Sequence, residues 1–267
     1  MRYVIKEEKK DMNIDITKFK FKYETHLHTE EGSACSHTPG KEMAKAAKEA
    51  GYDGIFVTNH AWGGNTCVDR SLPWKEWVSQ FKVGYEKAKE WGDENGLTVM
   101  WGFEAGFDGT EFLIYGVSPE WMMEHEELHD ATVEEQYKLI HDAGGLVIHA
   151  HPYREEWYIP EIRLFPEYVD GVEAVNATHA SHLSTAHNDP EFDVRAINYA
   201  KEHNFPMTAG SDVHGTLMFG GGILTDTKIS CVREFIDLIK SDRMYLLTDG
   251  DRIYDRYGNL LKDTPYK

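Results

Sequence analysis

Short apolar segments and longer amphipathic segments alternate along most of the chain. The apolar segments have the length and composition of strands and cover residues 21–25, 54–58, 97–101, 112–116, 146–149, 171–175, 206–209 and 244–248. The amphipathic segments predict helices over residues 39–50, 74–94, 132–143, 189–203 and 231–240. This alternation predicts an α/β fold whose sheet is mostly parallel.

Local signals mark the ends of several of these elements. Thr38 is the predicted cap of the first helix, and Pro39 lies in its first turn. Thr132 and Glu135 have the spacing of a capping box at the start of a later helix. A Tyr-Gly-Asn turn at residues 257–259 predicts a hairpin in the tail.

Histidine and acidic side chains follow the carboxyl ends of the predicted strands. These residues are His26, His28, His60, Glu104, His149, His151, Asp212 and His214. In a closed α/β barrel the strand ends face one cavity, whereas an open doubly wound sheet gathers its ligands near one crevice. Their spread along the chain favours a closed or nearly closed barrel, and we find no linker, so we expect a single domain over residues 1–267.

The spacing within these groups places pairs of side chains on one face. Alternate residues of a strand point the same way, so His26 and His28 share a face while Leu27 packs on the other. The other pairs with this spacing are His149 with His151 and Asp212 with His214. Imidazole and carboxylate are the usual protein ligands of zinc, iron and manganese. The pattern predicts a metal centre, with solvent-facing histidines as the alternative.

Two loops contain further candidate residues. Between residues 30 and 37, both Cys35 and His37 are candidates for an additional metal ligand. After the strand at 171–175, three histidines either line a substrate pocket or lie in a solvated loop; they are His179, His182 and His187.

Composition excludes several classes of function. The net charge of −18 argues against a nucleic-acid-binding surface, which needs clustered Lys and Arg. No apolar run approaches the roughly 18 residues that span a bilayer, and residues 1–10 lack the apolar centre of a signal peptide. Three scattered cysteines predict no disulfide framework. We therefore expect a cytoplasmic protein without nucleic-acid or membrane partners; the sequence does not indicate its oligomeric state.

The motifs resemble, in order, those of the PHP (polymerase and histidinol phosphatase) family of metal-dependent phosphoesterases. His-x-His comes first, followed by Thr-Asn-His, Gly-x-Glu, His-Pro and Gly-Ser-Asp-x-His, and together they span residues 26–214. The resemblance implies a distorted (β/α)7 TIM-like barrel with two or three divalent metal ions (zinc, manganese or iron) at the strand ends. The motif core would cover residues 21–215, with a C-terminal strand and hairpin at 244–267.

The resemblance also implies a set of ligands. The first metal would use His26, His28, Glu104 and Asp212; the second would share Glu104 with His151; the third would use His60, His214 and a loop residue, assigned as His37 over Cys35. Some members carry a further histidine between the Gly-x-Glu and His-Pro motifs. Residues 110–116 contain none, so the second site would either be weaker or be completed by His149, His125 or water.

The predicted reaction is attack of a metal-bound hydroxide on a small phosphate monoester. Glu104 and Asp212 would take part as metal ligands. Arg154 would either grip a phosphate oxygen or form a surface pair with Glu155 or Glu156. The proton donor would be His179, His182 or Asp212.

Two other functions fit parts of the pattern. An amidohydrolase-like enzyme acting on a C–N or C–O bond also uses His-x-His and a late Asp, but often with a bridging lysine that no mid-chain strand end supplies here. A non-catalytic metal-binding module would not need the eight candidate ligands that follow the strands. Candidate substrates of the phosphoesterase include histidinol phosphate, nucleoside monophosphates and other small phosphate esters.

Overall fold

The computed structural model describes residues 14–184 and 186–264. Its strands are β1 (Phe21–Glu24), β2 (Gly54–Val57), β3 (Thr98–Phe107), β4 (Thr110–Tyr115), β5 (Leu146–Ala150), β6 (Gly171–Asn176), β7 (Met207–Gly210), β8 (Gly222–Thr225), β9 (Leu246–Thr248), β10 (Arg252–Asp255) and β11 (Leu260–Asp263). The predicted absence of a signal peptide concerns residues 1–10, which lie outside the described residues.

The helices lie mainly between these strands. They are α1 (Gly40–Glu49), α2 (Trp74–Phe81), α3 (Val83–Asn95), α4 (Pro119–Met123), α5 (Val133–Asp142), α6 (Ala177–Ala180), α7 (Glu191–His203) and α8 (Val232–Lys240), with short 3-10 turns at Ile16–Lys18 and Glu126–His129. Within the described ranges, none of them has the length and apolar character needed to cross a membrane.

All described strands belong to one sheet with the order β11-β10-β9-β8-β1-β2-β3-β4-β5-β6-β7. The pairs β1–β2, β2–β3, β5–β6 and β6–β7 are parallel. Strand β4 is antiparallel to both β3 and β5, and β8 to β11 extend the sheet as antiparallel strands beyond β1. The α/β class predicted from the sequence is confirmed.

The sheet curls so that the segments after β1 and β7 meet. Leu27 and Val213 form a parallel bridge, in which the N–H of His28 donates to the carbonyl of Val213 at 2.9 Å and the N–H of Val213 to that of His26 at 3.1 Å. As a result, the carboxyl ends of the first and last parallel strands lie side by side. The predicted ligands of both segments are thereby brought to one end of the curled sheet.

Local predictions agree with many element boundaries and differ at others. The capping box at Thr132 and Glu135 is present. Thr38 is not the cap of α1, because Pro39 holds the N-cap position without a side-chain hydrogen bond. The amphipathic segment 74–94 forms two helices that meet at Lys82, and β8 was not predicted.

Aromatic side chains fill much of the space between the sheet and the helices. Trp74 stacks on Trp77, and Trp77 stacks on Phe81, with ring centroids 5.4 and 4.6 Å apart. All three are buried, so their contribution is apolar burial together with ring stacking. This layer supports β3, the strand from which the central carboxylate of the site projects.

Candidate metal centre

Buried and partly buried histidines and carboxylates from six strands and the segments that follow them converge at one end of the sheet. Four sets of three have ligand atoms within 4.8 Å of one another: His28, His60 and His214; His26, His28 and Glu104; His26, His151 and Asp212; and His60, Glu104 and Glu111. The sets overlap, so they form one continuous cluster. The structure thus brings together seven of the nine residues predicted as metal ligands, and adds Glu111.

The His-x-His pair after β1 presents two imidazole nitrogens to this cluster. On the side away from the cluster, Nδ1 of His26 lies 3.0 Å from a carboxylate oxygen of Glu173, and Nδ1 of His28 lies 3.0 Å from the hydroxyl of Ser33. Leu27 between them is fully buried in the apolar core, as alternation along a strand requires. The Nε2 atoms of both histidines face inward without a hydrogen-bond partner. A histidine fixed in this way by an outer partner is typical of metal ligands.

Glu104 lies at the centre of the cluster and is fully buried. Its Oε1 lies 3.3 Å from Nε2 of His26 and 3.2 Å from Nε2 of His151. Its Oε2 lies 2.8 Å from Nδ1 of His60. Burial raises the pKa of a carboxyl group, but the charges of His26 and His60 outweigh it and hold the pKa of Glu104 well below its usual range. One carboxylate therefore faces two separate groups of histidines.

Asp212 approaches the same nitrogens from the segment after β7. Its Oδ1 lies 3.1 Å from Nε2 of His28 and 3.5 Å from Nε2 of His26. The backbone φ of Asp212 is +51° and that of His151 is +26°, in a region that residues other than glycine rarely adopt. Two strained residues among the candidate ligands are consistent with a functional site.

Arg154 is buried behind Asp212, at 4% exposure, so a surface pair with Glu155 or Glu156 is wrong. It donates from Nη1 to Oδ2 of Asp212 at 2.6 Å, and from Nη2 to the Thr178 hydroxyl at 3.2 Å. These contacts fix the orientation of the Asp212 carboxylate.

His179 is also buried, and both of its nitrogens have partners. Its Nε2 accepts from Nε of Arg154 at 3.2 Å, and its Nδ1 lies 2.6 Å from Asp193. Because Arg154 can only donate, the proton of a neutral His179 lies on Nδ1. Burial and the charge of Arg154 lower the pKa of His179 well below its usual range. The residue therefore acts as a neutral support for Arg154.

Glu111 on β4 is the residue of the cluster that sequence reasoning missed. It lies opposite Gly106 in the β3–β4 pair, and so on the same face as Glu104. Its carboxylate oxygens lie 3.4 Å from Nδ1 of His60 and 3.6 Å from Nε2 of His151. Burial, followed by the charge of Glu104, raises the pKa of Glu111 to about 7. The Asp-Gly turn at 108–109 was the available signal, because it predicts a hairpin that sets this register.

His149 and His125, both predicted as candidates to complete the second site, do not lie in the cluster. His149 stacks on Phe112, with ring centroids 5.0 Å apart, and packs beside Phe165 and Tyr199. The positive φ of His151 bends the chain, so the alternation expected of a regular strand does not hold. His125 bonds the carbonyl of Trp121 and likewise lies outside the sets of ligand atoms.

In the loop after His28, the structure places Cys35 and not His37 beside the cluster. The His37 side chain is exposed, whereas Sγ of Cys35 lies 3.0 Å from Nε2 of His214. Burial raises the pKa of a thiol, but hydrogen bonds with His214 and His60 reverse this and lower the pKa of Cys35 to about 6.

A cavity of about 530 Å³ opens above the cluster. His60, Glu111, Arg154, Asp212, His214 and Cys35 lie in its wall, together with Trp157, Tyr158 and His187. Trp157 is 92% exposed at its rim. The cavity is large enough for a small organic phosphate.

The cluster fits divalent metal ions. Within the described chain, several buried atoms of the cluster face one another without the alignment of a hydrogen bond; they include Nε2 of His26, Nε2 of His28, Nδ1 of His60 and Oε2 of Glu104. Buried polar atoms are normally satisfied, and leaving them unpaired is costly. Nitrogen and carboxylate oxygen donors at this spacing are the ligands of zinc and other first-row metals.

The fold and this cluster define an α/β protein with a site for divalent metal ions. Residues 24–246 match the profile of the PHP domain, and the chain belongs to the PHP family, as the order of its motifs predicted. The solved structures that it resembles include predicted metal-dependent phosphoesterases of this family. No protein with a curated description of its function matched the chain.

Three solved structures share the fold at 16% sequence identity. A two-domain protein of Bacteroides vulgatus that contains a predicted PHP-like metal-dependent phosphoesterase aligns with a TM-score of 0.62, over 85% of this chain and 64% of its own. PsfC of Pseudomonas syringae aligns at 0.55, over 90% and 91%. A protein of Bifidobacterium adolescentis that is predicted to be a metal-dependent phosphoesterase aligns at 0.51, over 82% and 96%. This chain thus spans less than two thirds of the two-domain protein.

Proposed function

We propose that this protein hydrolyses a small phosphate monoester at a centre of two or three divalent metal ions. The position of Glu104 carries this proposal. One of its oxygens faces His26 and His151, and the other faces His60. A carboxylate placed between two groups of ligands is suited to bridging two cations.

The ligands divide among the metals as follows in this proposal. His26, His28, Glu104 and Asp212 would hold the first ion. His151 and Glu111, with Glu104, would hold the second. His60, which faces the other oxygen of Glu104, and His214 would contribute to a third. Glu111 takes the place that His149, His125 or water was expected to fill, since its oxygen lies 3.6 Å from Nε2 of His151. When bound, the ions would activate water and polarise the phosphoryl oxygens.

Arg154 supports the site in two ways. Three of its five N–H groups are used by Asp212, Thr178 and His179, which fixes the guanidinium against the metal ligand Asp212. Its position in the cavity wall leaves the remaining N–H groups available to a phosphoryl oxygen. His179 then acts as a positioning residue, because its Nε2 already accepts from Arg154 and holds no proton for a leaving group.

The charge balance of the cavity supports a metal-dependent reaction. The chain has a net charge of −18, and three carboxylates lie at the base of the cavity. An anionic phosphate would be repelled by this site alone. Divalent ions reverse the local charge, which allows an acidic protein to bind an anionic substrate.

Elemental analysis and a phosphatase assay on Glu104→Gln test the proposal. The amide keeps the shape of the side chain but cannot bridge two cations. We expect purified wild type to contain at least two metal ions per chain and to hydrolyse p-nitrophenyl phosphate. Glu104→Gln should lose bound metal and lower kcat/KM by more than about 100-fold, beyond the effect typical of an outer-sphere change.

The control is Glu90→Gln, an exposed position on α3, which should behave as the wild type. Full activity of Glu104→Gln, or a wild type that binds no zinc, manganese or iron, would contradict the proposal. Bound metal without phosphatase activity would instead favour hydrolysis of a C–N or C–O bond. Histidinol phosphate and nucleoside monophosphates are the first natural esters to assay.

We further propose that the chain is one domain built on a distorted (β/α)7 barrel. The bridge between Leu27 and Val213, which joins the segments after β1 and β7, supports a nearly closed barrel. A cytoplasmic location, and the absence of nucleic-acid and membrane partners, are predictions from composition alone.

A further inference from the structure

The loop after His28 is held firmly against two candidate ligand segments. The buried hydroxyl of Ser36 shares its single proton between two carbonyl oxygens, that of His28 at 3.2 Å and that of His214 at 3.3 Å. The N–H of Glu30 donates to the carbonyl of Thr38 and closes the loop. These bonds fix the loop at residue 36, so the side chains before and after it have set directions.

Cys35 and His37 consequently have different surroundings. Cys35 lies in the wall of the cavity, with its Sγ 3.0 Å from Nε2 of His214. His37, two residues further on, is exposed to solvent. The loop therefore delivers a sulfur, and not an imidazole, to the edge of the cluster.

The sulfur adjoins His214, which belongs to a set of three histidines that could hold a metal ion. Nitrogen atoms of His28, His60 and His214 lie within 4.8 Å of one another. The rings of His60 and His214 both stack against the ring of His28, with centroid distances of 4.3 and 4.4 Å. Nδ1 of His60, one of the two histidines proposed for this ion, is buried and has no hydrogen-bond partner. This unsatisfied nitrogen points to a cation independently of the cysteine.

Ser33 fixes two of these histidines from the side of the loop. Its hydroxyl lies 3.0 Å from Nδ1 of His28 and accepts the backbone N–H of His60 at 2.9 Å. The segment that carries Cys35 thus also orients two of the histidines beside it. Such shared outer contacts are what hold metal ligands in register.

We propose that Cys35, as a thiolate, is the loop ligand of the metal at His60 and His214, and that His37 is not a ligand. The inference rests on the proposed metal centre. Binding would release the thiol proton to solvent as the metal–sulfur bond forms. A sulfur ligand favours zinc over the harder manganese at this position, so the sites of one centre would differ in metal preference.

Cobalt substitution tests the sulfur ligand directly. A Co²⁺–thiolate bond gives a charge-transfer absorption in the near ultraviolet that nitrogen and oxygen ligands do not give. We expect this band in the wild type. Cys35→Ser should lose the band and should bind about one cobalt ion per chain fewer than the wild type. Cys67→Ser, Cys231→Ser and His37→Ala should keep both the band and the cobalt.

A second measurement uses the wild type only, in case Cys35→Ser does not fold. Alkylation followed by peptide mapping reports each cysteine separately. Zinc should slow the modification of Cys35 at least about tenfold, because a coordinated thiolate is less available to the reagent. The exposed Cys67 and Cys231 should react at unchanged rates.

The outcomes separate this inference from the proposed function. Cobalt bound without the band, a band that persists in Cys35→Ser, or loss of cobalt in His37→Ala would overturn the cysteine assignment while leaving the metal centre intact. A wild type that binds no cobalt or zinc would overturn both.

Discussion

Individual residues in the cluster are placed where their charge is costly without a partner. Glu104 and Asp212 are almost fully buried, and Glu111 lies beside them. Apart from Arg154, the groups that face them are histidines, whose nitrogens are metal ligands when neutral. Bound cations would satisfy the carboxylates and the free nitrogens together.

The orientation of Asp212 should depend on the planar shape of Arg154. We expect Arg154→Lys to lower kcat/KM by about 10–100-fold, because lysine cannot bond Asp212, Thr178 and His179 at the same time. Steady-state kinetics would measure this, with circular dichroism to confirm folding. Arg195→Lys, which changes a partly exposed arginine paired with Glu155, is the matched control. Unchanged kinetics in Arg154→Lys would show that Asp212 is positioned without the guanidinium.

Glu24 should make the metal-free protein less stable as the pH rises. It is fully buried and accepts the backbone N–H groups of His26 and Ser211, but burial raises its pKa from 4.5 to about 7. The folded state therefore retains this proton to a higher pH than the unfolded state does. The contribution of the Glu24 proton to the free energy of unfolding is complete below about pH 4.5 and is lost as the pH rises through about 7.

Glu24→Gln tests this through urea unfolding of metal-free protein. The amide oxygen can still accept both N–H groups, but it does not titrate. The difference in unfolding free energy between variant and wild type should shift by about 3 kcal/mol in favour of the variant as the pH rises from about 4.5 to about 7. Glu90→Gln should show the wild-type pH dependence. Parallel curves for Glu24→Gln and wild type would mean that Glu24 does not carry this titration.

At the scale of elements, the β3–β4 hairpin contributes most to the centre. It places Glu104 and Glu111 on one face, and its Gly106 packs against the backbone of Gly63 and Gly64. The chain beyond β2 can therefore approach closely enough for the backbones of His60 and Glu104 to form an isolated parallel β-bridge. The absence of a side chain at position 106 is what permits this approach.

Adding a methyl group at Gly106 should therefore disturb the hairpin. A Cβ there would lie 2.7 Å from Cα of Gly64 and 2.9 Å from the carbonyl oxygen of Gly63, and both are backbone atoms. We expect Gly106→Ala to cost about 1–3 kcal/mol of stability, measured by thermal unfolding. Gly215→Ala is the control, since a Cβ there meets nothing within 4 Å. Equal stability of the two variants would show that this contact relaxes without cost.

The same hairpin shows what the sequence could and could not predict. The apolar run at 97–101 predicted the start of β3, and the Gly-x-Glu motif predicted that Glu104 faces a cavity. That β4 is antiparallel to both neighbours, so that Glu111 joins the site, depends on a turn and on pairing across the sheet. His149 was misplaced because the strained backbone of His151 ends the regular alternation on which the argument relied.

At the scale of the whole molecule, closure of the sheet brings distant segments together. Asp212 meets His28 only because the segments after β1 and β7 bridge at Leu27 and Val213. The α/β alternation predicted that strand ends would converge. It could not predict the burial of Arg154, because its partners Asp212 and His179 come from other strand ends.

The most direct test of the account is a crystal structure of the metal-loaded protein with anomalous data collected at the edges of zinc, iron and manganese. We predict two ions about 3.5–4 Å apart, each bonded to one oxygen of Glu104, with His26 on one ion and His60 on the other. A structure with no ion at Glu104, or with a single ion that leaves one of its oxygens free, would contradict the bridged centre on which the proposed reaction depends.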